Sequence, residues 1–154
     1  MSAPNNIHAT GIVLGATGVI FRGPSGSGKS LLALDLLDTW QARGQPAHLV
    51  SDDRVELQAL GAGLVMRPAP NIAGLIELRG RGLVRRPHVE EAPLHLVIDL
   101  VDHLDRMLED DQLATELLGT LLPRAPVPRA GIVDARHQLL LVGEAIRALS
   151  SQSR

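Results

Sequence analysis

A glycine-rich stretch constrains the fold of this chain more than any other feature. Residues 23–30 read Gly-Pro-Ser-Gly-Ser-Gly-Lys-Ser and fit the pattern G-x-x-x-x-G-K-[ST] in full. An apolar run, residues 19–21, precedes the stretch, and an amphipathic run, residues 31–40, follows it. In such a strand–loop–helix unit, glycines let backbone N–H groups approach phosphate oxygens, and the helix N-terminus adds partial positive charge. The motif therefore predicts a nucleotide-phosphate site on an α/β domain.

Two side chains of this P-loop supply chemistry that phosphates require. The Lys29 ammonium can reach the β and γ phosphates, and the Ser30 hydroxyl can bind Mg²⁺. We expect an ATP- or GTP-type nucleotide with Mg²⁺ as the ligand. The predicted nucleotide-binding residues are Gly23, Pro24, Ser25, Gly26, Ser27, Gly28, Lys29 and Ser30.

Composition excludes several other classes of protein. The 154 residues include no cysteine, which excludes a disulfide scaffold, a thiolate metal site and a cysteine nucleophile. The formal net charge of -2 argues against a general nucleic-acid-binding protein. No apolar stretch is long enough to span a membrane, and residues 1–10 lack the features of a signal peptide. We expect a soluble, cytoplasmic, single domain comprising residues 1–154, with no nucleic-acid or membrane partner.

Hydropathy patterns predict a mixed sheet with flanking helices. The expected strands are residues 7–14, 19–21, 47–50, 55–57, 76–84 and 94–101, and the expected helices are residues 31–40, 112–122 and 139–149. The leucines of the second helix share one face, Asp110 and Asp111 suit its N-terminus, and Pro123 ends it. Because many strands are joined by turns rather than helices, a purely parallel sheet is not expected.

Five residues outside the loop are candidates for chemistry. Asp52 and Asp53 follow an apolar run, at a point where the chain is expected to leave a sheet. This position suits carboxylates that bind a metal or accept a proton. The sequence Ser-Asp-Asp is equally typical of a solvated turn. Glu77 alternates with apolar residues, which on pattern alone favours a solvent-facing strand position. A lone histidine such as His8 is more often structural, and Arg106 would ordinarily be a surface charge. No spacing of His, Asp and Glu fits a dedicated zinc site.

Taken in order, these elements resemble the catalytic domain of HPr kinase/phosphorylase, a bacterial family with a P-loop on a fold like that of phosphoenolpyruvate carboxykinase. Matching pieces are a histidine 21 residues before the loop lysine, the loop itself, the double Asp within residues 49–55, and an Asp-Arg pair at residues 105–106. Residues 76–83 match the family signature Leu-Glu-Ile-Arg-Gly-x-Gly-Ile. The signature combined with the double Asp is the most selective part. The resemblance covers about residues 7–128.

This resemblance implies an α/β domain of the phosphoenolpyruvate-carboxykinase-like type and an ATP-dependent serine kinase. The implied substrate is the phosphocarrier protein HPr of a bacterial phosphotransferase system, and Asp53 would take the proton from its serine. A homo-oligomer, with a hexamer as the expected assembly, is also implied. The implied catalytic residues are His8, Lys29, Asp52, Asp53 and Arg106, and the implied Mg²⁺ ligands are Ser30 and Glu77.

Three differences from the family pattern leave functions open. The chain begins almost at the histidine, as in a short form without the N-terminal domain, and the stretch from Lys29 to the double Asp is longer than usual. Residues 126–131 keep only fragments of the family's Pro-Val-Arg-Pro-Gly-Arg-Asn block, which is tied to dephosphorylation, so reverse phosphorolysis of the phosphoserine is left open. Two alternatives are a small-metabolite P-loop kinase, in which the arginines of residues 79–86 imitate a lid, and a non-catalytic nucleotide-responsive regulator.

Overall fold

The computed structural model describes residues 5–152 and contains twelve strands, two α-helices and one short 3₁₀ helix. In chain order these are β1 (Asn5–Ile7), β2 (Thr10–Leu14), β3 (Thr17–Arg22), α1 (Lys29–Ala42), β4 (Ala47–Ser51), β5 (Val55–Leu60), β6 (Gly63–Pro68), β7 (Leu75–Leu78), β8 (Gly82–Arg85), β9 (Ala92–Leu94), β10 (Leu96–Val101), the 3₁₀ helix (Asp110–Leu113), β11 (Ala114–Leu117), β12 (Thr120–Pro128) and α2 (Ala135–Gln152).

A six-stranded mixed sheet forms the centre of the molecule, in the order β11-β12-β10-β3-β2-β4. Strands β3, β10 and β12 run parallel to one another, whereas β2, β4 and β11 pair antiparallel with their neighbours. Helices α1 and α2 pack on one face, over a core that includes Phe21, Leu36 and Ile98, all 0% exposed. Each such buried side chain contributes roughly 2 kcal/mol to folding. The mixed sheet with flanking helices that the sequence predicts is confirmed.

A second, four-stranded antiparallel sheet, in the order β1-β5-β6-β9, covers the other face. Its buried side chains, such as Leu57 and Met66, meet Ile20 and Val97 of the central sheet in a separate apolar cluster. Strands β7 and β8 form a small hairpin outside both sheets. No helix within residues 5–152 combines the length and the apolar composition needed to cross a lipid bilayer.

Helices α1 and α2 agree with the sequence prediction and extend beyond it. Helix α1 begins directly after Gly28, whose φ of 94° only glycine adopts without strain, and the chain turns away at Gly44 (φ 78°). Helix α2 is capped by the Asp134 carboxylate, which accepts the backbone N–H of His137 at 2.9 Å.

The helix predicted over residues 112–122 is wrong. Only Asp110–Leu113 is helical, as a 3₁₀ turn, and a hairpin of β11 and β12 follows. Leu118 and Gly119 both have positive φ (49° and 77°), which is the backbone of a two-residue hairpin turn. Along β12, Leu121 is 73% exposed and Leu122 is 6% exposed, as the period of a strand requires. Parallel pairing with β10 therefore outweighs the helical spacing of the leucines.

Two strands predicted as single runs are divided. The run 7–14 separates at His8, because β1 joins the smaller sheet and β2 joins the central one. His8 therefore lies on the link between the sheets rather than on a strand. The run 76–84 folds into the β7–β8 hairpin, whose turn contains Gly80 (φ 94°) and closes through a hydrogen bond from Arg81 N–H to Leu78 O at 2.9 Å.

A half-buried ionic group ties β3, β10 and β12 together beside the P-loop. Arg22 donates two hydrogen bonds to the Asp99 carboxylate, at 2.7 and 2.8 Å, and Arg124 donates a third. Burial alone would raise the pKa of Asp99, but the hydrogen bonds and charges of the two guanidinium groups outweigh it and hold that pKa below its ordinary value. Because Arg22 directly precedes the loop, the group fixes the end of β3 from which the loop departs.

We expect Asp99→Asn to lower the free energy of unfolding at pH 7 by about 2–3 kcal/mol, because two guanidinium groups lose their charged partner. The wild-type advantage is complete above the ordinary carboxyl pKa of about 3.9, and it is lost as the pH falls through the lower pKa of the folded state. Urea denaturation at pH 7 and at about pH 3 measures both effects. Asp111→Asn, at an exposed carboxylate, is the control, and equal unfolding free energies of Asp99→Asn and wild type at pH 7 would contradict the prediction.

Candidate functional site

The P-loop has the backbone that its glycines predict. Gly26 and Gly28 adopt φ values of 83° and 94°, and a Cβ built on Gly23 would lie 2.7 Å from Ser27 Oγ and 3.2 Å from Leu100 Cβ. The first two positions need a left-handed backbone, and at the third a side chain would crowd Ser27 and Leu100. Strand β3, the loop and α1 thus form the strand–loop–helix unit that phosphate binding requires.

Two side chains of the loop are buried at the predicted phosphate site. Lys29 is buried, and its Nζ donates to the carbonyl oxygens of Gly23 at 2.7 Å and Pro24 at 3.3 Å. Ser27 Oγ is buried and has no hydrogen-bond partner among the residues that the structure describes. A buried polar atom of this kind is expected to have a partner, which a phosphate oxygen can provide. The loop therefore fits a nucleotide phosphate.

Asp52 joins three elements at the loop. Its Oδ1 accepts hydrogen bonds from Ser30 Oγ at 2.5 Å and from Thr10 Oγ1 at 3.0 Å, and its Oδ2 accepts the backbone N–H of Glu77 at 2.9 Å. The residue is 8% exposed, and hydrogen bonds to a carboxylate are stronger than those between neutral groups. Both oxygens are thus occupied by donors from α1, β2 and β7, which fixes the position of the carboxylate.

Asp53, the next residue, faces a different environment. The Arg54 N–H donates to Asp52 O at 2.7 Å and closes a three-residue γ-turn with Asp53 (φ 65°) at its centre. A γ-turn with positive φ is rare and strained, and strain of this kind concentrates at functional positions. The Asp53 side chain is 65% exposed, and its Oδ1 accepts a hydrogen bond from His8 Nε2 at 2.6 Å. The turn therefore directs one carboxylate inward and the next one outward.

A cavity of about 400 Å³ is lined by the P-loop and by Asp52 and Asp53. Glu77 and Arg79 lie in its wall with exposed side chains, and their charged atoms are 3.8 Å apart. Ile76 is fully buried on the opposite side of β7, so the alternation predicted for this strand is observed. The lining residues are Ser25, Gly26, Ser27, Gly28, Lys29, Ser30, Leu31, Asp52, Asp53, Glu77, Leu78, Arg79 and Ala130.

The oxygen donors in the cavity fit a Mg²⁺ ion that arrives with a nucleotide. Within residues 5–152, no group of three or more His, Asp or Glu side chains could hold a metal by itself. Mg²⁺ in nucleotide sites uses one or two carboxylates together with phosphate oxygens and waters, so a cage made only of protein side chains is not required. The Ser30 hydroxyl and the Glu77 carboxylate both line the cavity, with Asp52 hydrogen-bonded to Ser30.

The structure brings most of the sequence-predicted residues together, whereas Arg106 is not among the residues that line the cavity. Lys29, Asp52, Asp53 and Glu77 line the cavity with the loop, and His8 contacts Asp53 at its mouth. Arg106 lies in the exposed segment that follows β10 and is absent from the cavity lining, in which the guanidinium group is that of Arg79.

Sequence reasoning missed Thr10. This side chain is 0% exposed, donates to Asp52 Oδ1 at 3.0 Å and accepts the Asp53 N–H at 3.1 Å. It therefore positions both acidic residues. A hydroxyl at the start of an otherwise apolar strand is a weak signal, and its meaning depends on the pairing of β2 with β4, which places Gly11 opposite Ser51.

Comparison with known proteins gives one family throughout. The model of the family described as HPr Serine kinase C-terminal domain matches residues 1–153. A curated HPr kinase/phosphorylase from Cupriavidus metallidurans is 30% identical over 156 residues, which cover 96% of this chain and 46% of that protein. One from Mycoplasma mycoides is 30% identical over 135 residues, which cover 79% of this chain and 41% of that protein. The chain thus spans less than half the length of these relatives.

A solved structure has the same architecture. The structure of the Hpr(Ser) kinase/phosphatase from Coxiella burnetii superimposes with a TM-score of 0.77 at 28% sequence identity. The match covers 97% of this chain and 92% of that one. The mixed α/β fold is therefore that of an HPr kinase catalytic domain.

We expect Thr10→Val to lower the free energy of unfolding by about 1–3 kcal/mol, because Asp52 loses a donor and the Asp53 N–H loses its acceptor. Thr10→Ser keeps the hydroxyl and is expected to retain most of the stability. Urea denaturation of both variants checks this, and equal losses in the Val and Ser variants would show that the hydroxyl is not what matters.

Proposed function

The chain belongs to the HPr Serine kinase C-terminal domain family, and from this membership and the site geometry we propose that it transfers the γ-phosphoryl group of ATP to a serine of the phosphocarrier protein HPr. The observation that carries the proposal is the position of Asp53, which projects from a strained turn at the mouth of a phosphate-binding cavity. A simple nucleotide-binding protein has no need of an exposed carboxylate held there by a histidine.

Nucleotide binding rests on the P-loop. Its backbone N–H groups and the N-terminus of α1 would surround the β and γ phosphates. Lys29 Nζ, now on the carbonyl oxygens of Gly23 and Pro24, can exchange these for phosphate oxygens. Ser30 and Glu77 would hold Mg²⁺, which neutralises phosphate charge when bound.

The proton of the attacking serine is proposed to go to Asp53. The serine oxygen attacks the γ phosphorus, the bond from that phosphorus to the bridging oxygen breaks, and ADP leaves with the bond electrons. As the new bond forms, the Asp53 carboxylate accepts the hydroxyl proton. His8 positions the carboxylate through the 2.6 Å hydrogen bond and keeps it directed at the mouth of the cavity.

Asp52 is less suited to this role. It is buried and already accepts three hydrogen bonds, so a substrate hydroxyl could reach it only by displacing a protein donor. Its position supports a role in holding the Ser30 hydroxyl toward Mg²⁺ and in fixing the backbone of Glu77. The two neighbouring acids therefore divide the work, with Asp52 on the metal side and Asp53 on the substrate side.

The small-metabolite kinase is less well supported. Its lid would have to come from the arginines of residues 79–86, which lie on the β7–β8 hairpin and the residue after it. Of these, Arg79 lines the cavity, whereas Arg86 is bound to the Asp38 carboxylate at 2.8 and 3.0 Å. Arg86 is therefore directed at α1 rather than at the cavity.

We expect Asp53→Asn to lower kcat for phosphorylation of HPr by about 10²- to 10⁴-fold, because the hydroxyl proton loses its acceptor. The dissociation constant for ATP should change little, since Asp53 does not touch the P-loop backbone. Asp35→Asn, on α1, is the control. Mass-spectrometric quantification of phosphoserine on HPr, with ATP titrations in parallel, provides the measurement. Undiminished phosphoserine formation would remove Asp53 from the mechanism.

Glu77→Gln is expected to raise the Mg²⁺ concentration needed for half-maximal activity by about tenfold, because a carboxylate ligand becomes a neutral amide. Activity at saturating Mg²⁺ should recover in part. Glu116→Gln changes an exposed glutamate of β11 in the same way and serves as the matched control. A Mg²⁺ titration identical for wild type and Glu77→Gln would exclude Glu77 as a ligand.

A further inference from the structure

The segment that follows β10, residues 102–109, begins beside the cavity. Leu100 Cβ lies against Gly23 of the P-loop, at 3.2 Å from where a Cβ would stand. The carbonyl of Val101 accepts the Arg129 N–H at 2.8 Å, and the next residue, Ala130, lines the cavity. The chain therefore leaves the sheet between the P-loop and the part of the cavity wall that contains Ala130.

Three large apolar side chains of this segment are exposed on the surface. Leu104 is 53% exposed, Met107 is 80% exposed and Leu108 is 39% exposed. Exposed apolar residues scattered singly need no explanation, but a group of them within five positions of the chain, bordered by polar residues, is typical of a surface that binds another protein. Methionine is common at such surfaces because its side chain adapts to its partner.

The polar side chains of the same segment contact one another. His103 lies between the carboxylates of Asp102 and Asp105, at 3.7 and 3.5 Å, and Gln112 donates to Asp105 at 3.2 Å. At its far end, Glu109 and Gln112 form a capping box for the 3₁₀ helix. The exposed apolar side chains thus alternate with polar side chains that contact one another.

The charge around these apolar residues is acidic. Residues 102–111 contain five carboxylates and one guanidinium, that of Arg106. An acidic surface attracts a partner with lysines and arginines, and such complementarity governs the rate and the orientation of the encounter. The occupant that fits has apolar side chains surrounded by basic ones.

We propose that residues 102–109 form the docking surface for the protein substrate, and that the substrate presents apolar residues bordered by lysine or arginine next to its phosphoacceptor serine. The inference rests on the proposed function and names where the substrate binds. A folded protein that delivers a serine to the cavity has to lie against the residues beside the mouth. A second copy of this chain on the same surface would obstruct that approach, which favours the substrate as the occupant.

The test is the double variant Leu104→Ser/Met107→Ser, assayed with ATP, Mg²⁺ and HPr. We expect KM for HPr to rise at least about tenfold, as for loss of apolar anchors at an interface. The dissociation constant for ATP and kcat at saturating HPr should stay within twofold, because neither side chain lines the cavity. Leu121→Ser is the matched control, since Leu121 is a 73% exposed leucine on β12, three residues before the arginine that pairs with Asp99.

Each outcome decides a different claim. If wild type phosphorylates HPr and the double variant has the same KM, the docking surface is overturned and the proposed function stands. If wild type neither binds nor phosphorylates HPr, both are overturned. Light scattering measures the size of the assemblies that the wild type and the double variant form. A variant that forms smaller assemblies than the wild type would show that the segment joins copies of this chain, and that result would overturn the proposal. Thermal melts, with Met107→Asp as a second variant, exclude a folding defect as the cause of a raised KM.

Discussion

Hydrogen bonds to the Asp52 carboxylate join three parts of the chain that are far apart in sequence. Ser30 comes from the first turn of α1, Thr10 from β2, and the Glu77 N–H from the β7–β8 hairpin. A buried carboxylate without partners is strongly unfavourable, so these elements must meet for the folded state to be stable. The contacts that bring together the P-loop, the two acidic residues and the Glu77 strand therefore also stabilise the folded state.

Adjacent acidic residues reach different environments here because the backbone changes direction between them. Asp52 is at the end of β4 and is enclosed by donors, whereas Asp53 lies in a positive-φ turn and is open to solvent. Aspartate tolerates such a backbone better than most residues do. The sequence pair Asp-Asp thus supplies one enclosed and one accessible carboxylate without a second structural element.

Local signals alone identify only part of the candidate site. The P-loop combines residue types and spacing that neighbouring residues are enough to identify. The double Asp fits a solvated turn equally well and Glu77 suits a solvent-facing strand, so their roles are implied by the family resemblance rather than by local pattern. Thr10 and the position of His8 depend on which sheet each strand joins, and that pairing is decided by contacts between distant residues. Residues 112–122 also show that distant contacts decide the structure. The spacing of the leucines suits a helix, but the turn at Gly119 and the pairing of β12 with β10 favour a strand. Arg106 was assigned by resemblance, and its exposed position follows from a loop that has no local periodicity.

His8 is held at the mouth of the cavity by the link that follows β1, a strand of three residues at the outer edge of the smaller sheet. Edge strands of this length are among the first parts of a fold to open by local unfolding. Detachment of β1 would release the histidine from Asp53 and leave the P-loop intact, since the loop belongs to the other sheet. Amide hydrogen exchange at residues 5–7 therefore reports how often Asp53 loses its contact with the histidine. With Asp53 as the base that we propose, fraying of this short strand would lower turnover and leave the occupancy of the nucleotide site unchanged.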